Sequence, residues 1–210
     1  MSLLDFARGP ALDVALAVFC FGVLWRLVSL LLLPRFRDNS IARPDTPSPV
    51  AGAVRGFLRH MWNAKPYQKS SLLVTLNGYI FHLGLAIIVF GLAQHILFIQ
   101  GLIGVSWPSL PSGVIHITAV LTLASLIAAL ARRLSNSVVR LISTVNDYFS
   151  WLITFLPVLT GLVAVNHLWL PYETLLAIHL LSVAALLVWF PFGKLMHAFL
   201  VFITRSQTGI

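Results

Sequence analysis

The sequence predicts an all-α membrane protein: one domain over residues 1–210, folded as a five-transmembrane-helix bundle with its N-terminus outside and its C-terminus in the cytoplasm. Three observations carry that expectation. Hydrophobic residues make up 59% of the chain and charged residues 10%, with a mean hydropathy of +0.92, whereas soluble domains carry about 25% charged residues. Apolar runs long enough to cross a bilayer, roughly 20 residues each, recur along the chain. Lysines and arginines gather in alternate loops.

The spans fall at about 12–33, 72–99, 113–131, 148–168 and 173–203. Span one carries the single cysteine, Cys20. With no Cys-x-x-Cys-His and no cysteine set, covalent haem, iron–sulfur ligation and an internal disulfide are all excluded. The N-terminus does not read as a cleaved signal peptide, since Ser2, Asp5 and Asp13 lead into a run with no small-residue cleavage site.

The loop 34–71 that follows is basic. With the end of span one it holds Arg26, Arg35, Arg37, Arg43, Arg55, Arg59, Lys65 and Lys69. Pro34, Pro44, Pro47 and Pro49 predict an irregular first half. From Val50 to Trp62, apolar Val54, Phe57, Leu58, Met61 and Trp62 recur at helical spacing. That pattern fits a short interfacial helix, the alternative being a partner-contacting loop. His60 within it reads as a surface residue. Spans two and five exceed the crossing length, so tilt or projection beyond the bilayer is expected.

Sidedness follows from the remaining cations. Arg132, Arg133 and Arg140 lie between spans three and four, and Lys194 and Arg205 mark the C-terminal end. These share one side with the basic loop, leaving Arg8 on the other, and the positive-inside rule makes the populated side cytoplasmic. The net charge of +8 therefore reports topology; no nucleic-acid module is visible. The expected location is a bacterial or archaeal cytoplasmic membrane.

Histidines supply the candidate chemistry. His179 and His197 lie 18 residues apart in span five, five helical turns, so a continuous helix places both on one face about 27 Å apart. His82, in Phe81-His82-Leu83-Gly84 of span two, shares the cytoplasmic depth of His197. His179 shares the outer depth with His95, His116 and His167. Facing helices with two neutral imidazoles suit a b-type haem, and ionisable groups within spans are costly enough to be functional candidates. His82 with His197 forms the inner candidate pair. The outer partner of His179 stays open between His95, about 220° round an ideal helix from His82, and His116, about one turn into span three. Gly78, Gly84, Gly91 and Gly161 fit close approach of a flat macrocycle or ordinary helix packing. Arg132 and Arg133 suit haem propionates or simple membrane anchoring.

Three stretches carry a family resemblance: Phe81-His82-Leu83-Gly84; Arg132-Arg133-Leu134 through Asp147 with Leu159-Thr160-Gly161-Leu162; and His179 to His197, with Phe190-Pro191-Phe192 and Lys194-Leu195-Met196-His197 between. Over about 72–203 the chain resembles the gamma subunit of respiratory nitrate reductase, a five-span dihaem cytochrome b. It also resembles relatives in the sulfite-reductase-linked (Dsr), Tmc and Hme complexes. The resemblance implies that His82 and His197 hold the inner haem and His179 the outer. Leu92 stands where the gamma subunit has its second span-two histidine, with His95 one turn further on. The outer loop 100–112 lacks the gamma subunit's quinone-associated lysine. These departures favour the sulfur-complex relatives.

The resemblance also implies quinol (menaquinol or ubiquinol) oxidised at the outer face, and electrons crossing two haems b to a cytoplasmic iron–sulfur partner subunit. A histidine not used as the outer ligand (His95, His116 or His167) becomes the candidate proton acceptor. The alternatives are a monohaem electron-transfer subunit using only His82 and His197, and a haem-free anchor or transporter.

Overall fold

The computed structural model describes residues 1–34 and 48–207. Arg35, Arg37, Arg43, Pro44 and Pro47, used above for sidedness and loop irregularity, lie outside the described residues. Among those described the regular structure is entirely helical, and five helices are long and apolar enough to cross a membrane.

The first helix begins at Leu3, well before the expected start near 12. Ser2 and Asp5 form a capping box: the Asp5 N–H donates to Ser2 Oγ (3.1 Å) and the Ser2 N–H to Asp5 Oδ2 (3.1 Å). This first element, α1 (Leu3–Phe6), joins α2 (Leu12–Leu31) through a widened π-helical turn, Ala7–Ala11. Pro10, which has no N–H, and the non-helical Gly9 sit in that turn.

Helix α3 (Pro49–Arg59) occupies the expected amphipathic stretch, with Ser48 Oγ accepting from the Ala51 N–H. It packs against the C-terminal helix α10 (His197–Gln207). Phe57 stacks on Phe202 at 5.6 Å, and Arg205 donates to the His60 carbonyl.

Two expected continuous helices are broken. Span two divides into α4 (Gln68–Gly91) and α5 (Ala93–Ile103), because Leu92 is extended (φ −76°, ψ 128°). Span five ends α9 (Tyr172–Trp189), turns through Phe190–Gly193 and a 3₁₀ turn Lys194–Met196, and restarts as α10. Pro191 is the cause, since it has no N–H to continue the ladder. The single-helix geometry inferred for His179 and His197 therefore does not hold.

Between these lie α6 (Ser112–Ser135), α7 (Ser137–Leu141) and α8 (Val145–Val165). Asn136 caps α7, its Oδ1 accepting from the Val139 N–H at 3.0 Å. Asp147 caps α8 by accepting from the Thr144 N–H and hydroxyl, both at 2.9 Å. Helix α4 packs on α6, α6 on α8, α8 on α9, and α9 on α2. No comparable packing joins α4 to α9 among the described residues.

The buried core is small. Leu4, Ala7 and Ala177 cluster with Leu176, Leu180 and Leu181, tying α1 to α9. Large apolar side chains point outward instead, Leu73 being 82% exposed and Phe21 69%. A water-soluble surface does not sustain that much contiguous apolar exposure, and a lipid-facing one does.

Candidate functional site

The four histidines of spans two and five meet in two pairs. His82 of α4 faces His197 at the start of α10, with ring centroids 6.0 Å apart and planes at 84°. His95 of α5 faces His179 of α9, with centroids 6.3 Å apart and planes at 18°. Imidazole nitrogens bind a metal at about 2.0 Å, so two rings sharing one ion on opposite sides have centroids roughly 6 Å apart. Both pairs have that spacing.

The hydrogen bonds set the tautomers. His82 Nδ1 donates to Gly78 O (2.7 Å), His95 Nδ1 to Ile88 O (3.0 Å) and His197 Nδ1 to Lys194 O (2.8 Å). A carbonyl only accepts, so in each ring the proton sits on Nδ1 and Nε2 keeps its lone pair. His179 Nδ1 lies 3.2 Å from Thr160 Oγ1. Thr160 donates its own proton to Leu156 O at 2.8 Å, which leaves its oxygen to accept from His179. Ser182 Oγ, 2.9 Å from Thr160 Oγ1, donates to His179 O at 2.7 Å. Hydrogen bonds from the ring nitrogen that faces away from a metal orient metal-binding imidazoles. The bond alone does not mark a site, since His60 donates Nδ1 to Gly56 O as well (2.6 Å). What separates the four from His60 is a facing imidazole.

The break at Leu92 is what brings His95 into line. Along an ideal helix His95 points away from the face of His82, and the extended Leu92 resets that phase. Two carbonyls it releases find other donors, Phe90 O taking Trp107 Nε1 (2.6 Å) and Gly91 O the Leu110 N–H (2.9 Å), while Ile88 O keeps the Leu92 N–H (3.3 Å) and also takes the His95 ring. Within a membrane such replacement is obligatory. Against the break lies an apolar cavity of about 400 Å³ lined by Ala86, Ile87, Phe90, Gly91, Trp107, Pro108 and Leu110.

His116 and His167 join neither pair. His116 has no imidazole neighbour among the described residues, and His167, at φ 52°, packs its ring 4.9 Å from Tyr172. Of the glycines, Gly161 lies against the site: a Cβ there would sit 3.0 Å from His179 Cε1. Gly84 and Gly91 instead face Thr122 of α6 and the Leu110–Ile115 side chains, which is helix packing. Arg133 is held by Asp147 (3.2 Å) and Ser143 (2.6 Å).

Thr160, Ser182 and Lys194 support the site, yet none stands out as a ligand-supporting residue in the sequence. Ser182 had the one local signal, three residues past His179 on the same helical face.

Chemically, the arrangement offers two-ligand sites. Among the described residues no group of three or more His, Cys, Asp or Glu side chains gathers. A bare zinc ion takes three or four protein ligands. A haem held by two histidines would find its protein ligands in either pair, His82 with His197 or His95 with His179, and would supply one-electron chemistry there.

No family model matches the chain, and no solved structure does. A protein of Nitratidesulfovibrio vulgaris Hildenborough is 30% identical over 213 residues, covering 98% of this chain and 91% of that relative. The alignment takes in all five long apolar helices, and the chain belongs to the same family as the Nitratidesulfovibrio vulgaris protein.

Proposed function

We propose that the protein is a dihaem membrane cytochrome b that exchanges electrons between the quinone pool and a cytoplasmic iron–sulfur partner subunit, in the direction of quinol oxidation. The observation that carries the reading is the pair of facing imidazole couples, at 6.0 and 6.3 Å, with proton-free Nε2 atoms. His82 and His197 would hold one haem, His95 and His179 the other.

When bound, each haem supplies a one-electron redox centre. The protein's own part is to fix the rings through Nδ1, to keep water away with apolar spans, and to set the two sites along the helices. His95 is engaged with His179, so His116 and His167 are left as the candidate proton acceptors for quinol. The open apolar depression beside Leu92 adjoins the His95 segment and is where a quinone ring would lie. The quinone and iron–sulfur partner assignments rest on the resemblance to the nitrate reductase gamma subunit and the sulfur-complex cytochromes. So does the placement in a bacterial or archaeal cytoplasmic membrane with the N-terminus outside.

The test is a pyridine haemochrome on the purified protein. Two haems per chain are expected; one points to a monohaem subunit, and none removes the reading. Quinol-dependent haem reduction in the His116→Gln and His167→Gln variants then tests the proton acceptors, and full activity in both rejects them.

A further inference from the structure

The break between α9 and α10 is what sets His197, and one carboxylate holds that break from outside. Asp147 begins α8, and its side chain is 8% exposed. Oδ2 takes the Thr144 N–H and hydroxyl. Oδ1 takes Lys194 Nζ at 2.6 Å and Arg133 Nη1 at 3.2 Å. Both oxygens are therefore engaged, and the carboxylate joins the end of α6, the start of α8 and the 3₁₀ turn Lys194–Met196.

That turn carries the acceptor for His197, because His197 Nδ1 donates to the carbonyl of Lys194, the same residue whose ammonium is tied to Asp147. The turn is also fixed from beneath by Met196, which is 2% exposed. One helical turn further along α8, Ser150 Oγ accepts from Trp189 Nε1 at 3.1 Å, at the other edge of the break. The start of α8 thus grips the interruption on both sides. At Gly193 a Cβ would run into the Trp189 indole, so the turn has little room to settle elsewhere.

We propose that Asp147 is the positioning residue of the inner imidazole pair: through Lys194 it fixes the carbonyl that sets the tautomer and orientation of His197. The proposal deepens the cytochrome reading and rests on it for its meaning, but the coupling itself is a property of the polypeptide. Outer-shell partners of metal-binding histidines are worth about 10–100-fold in affinity.

The experiment uses the full-length chain with Asp147→Asn and Lys194→Met, which cut the link from either end. Asp5→Asn is the matched control, removing a capping-box carboxylate that touches neither pair. Selective ¹⁵N-histidine NMR of the haem-stripped protein reads His197 directly. A single Nδ1–H tautomer is expected in the native chain and the control, and mixed tautomers in the two link variants. Haem titration is the second readout: about tenfold weaker binding at the inner site, with the outer site unchanged and serving as the internal reporter of folding. Wild-type His197 tautomer in both link variants overturns the proposal, and so does equal weakening of both sites in all three variants. Native protein that binds no haem removes the cytochrome reading instead, with the NMR result still deciding the role of Asp147.

Discussion

At the scale of single residues, the two imidazole pairs make separable demands. His95→Ala and His179→Ala are each expected to lower the haem content from two per chain to one, while His116→Ala keeps two; pyridine haemochrome measures this directly. Retention of two haems in His95→Ala would return the outer ligand to His116. Gly161→Ala makes a finer test. Its Cβ would lie 3.0 Å from His179 Cε1, closer than ordinary contact, so the ring or α8 must shift by a few tenths of an ångström. A perturbed outer-haem spectrum with normal inner-haem binding is expected. The differing ring angles, 84° and 18°, should also give two distinct low-spin EPR signals, the more anisotropic one from the near-perpendicular pair. A single signal type would contradict the geometry. All four histidines of these pairs were candidates in the sequence, because a histidine within an apolar span is rare enough to be noticed, but His95 stood there only as an alternative to His116. Thr160 and Ser182 were not, since hydroxyls in membrane helices commonly bond their own backbone.

At the scale of elements, the two helix breaks differ in how readable they are. Pro191 announces the break in span five, and its ring packs against the position of Gly22 in α2, where no side chain intervenes. The break at Leu92 has no proline. Hydropathy runs straight through it, and on an ideal helix His95 points away from the His82 face. What makes the break stable is remote: Trp107 and Leu110, in the segment before α6, donate to the carbonyls of Phe90 and Gly91. Local sequence cannot contain that information. Trp107→Phe keeps the ring bulk and removes the donor. It should destabilise the protein by about 1–3 kcal/mol, read as thermal unfolding in detergent, and weaken the outer haem while sparing the inner. Equal stability with both haems retained would mean that the break is held by packing alone. By contrast, the helical type and the five long apolar helices were plain from composition and hydropathy, because within lipid a helix is one of only two ways to satisfy the backbone.

At the scale of the whole molecule, sidedness would decide which pair meets which of the proposed partners. The structure gathers Arg133, Lys194 and Asp147 at one end of the bundle, and ties Arg205 of α10 to His60 after α3. The cations Arg133 and Lys194, from two separate connections, thus share an end, which the positive-inside rule would make the cytoplasmic one. His197 lies next to that end and His179 far from it in sequence, so the inner pair would stand toward an iron–sulfur subunit and the outer pair toward quinol. Five crossings would place the termini on opposite sides of the membrane, and one reporter at each end tests that. A C-terminal green fluorescent protein should fluoresce and a C-terminal alkaline phosphatase should be inactive, with the reverse at the N-terminus. An active C-terminal phosphatase would put the Asp147–Lys194 end outside the cell. The His82–His197 pair would then face away from any cytoplasmic electron acceptor, and the proposed direction of transfer would have to be abandoned even if both haems were present.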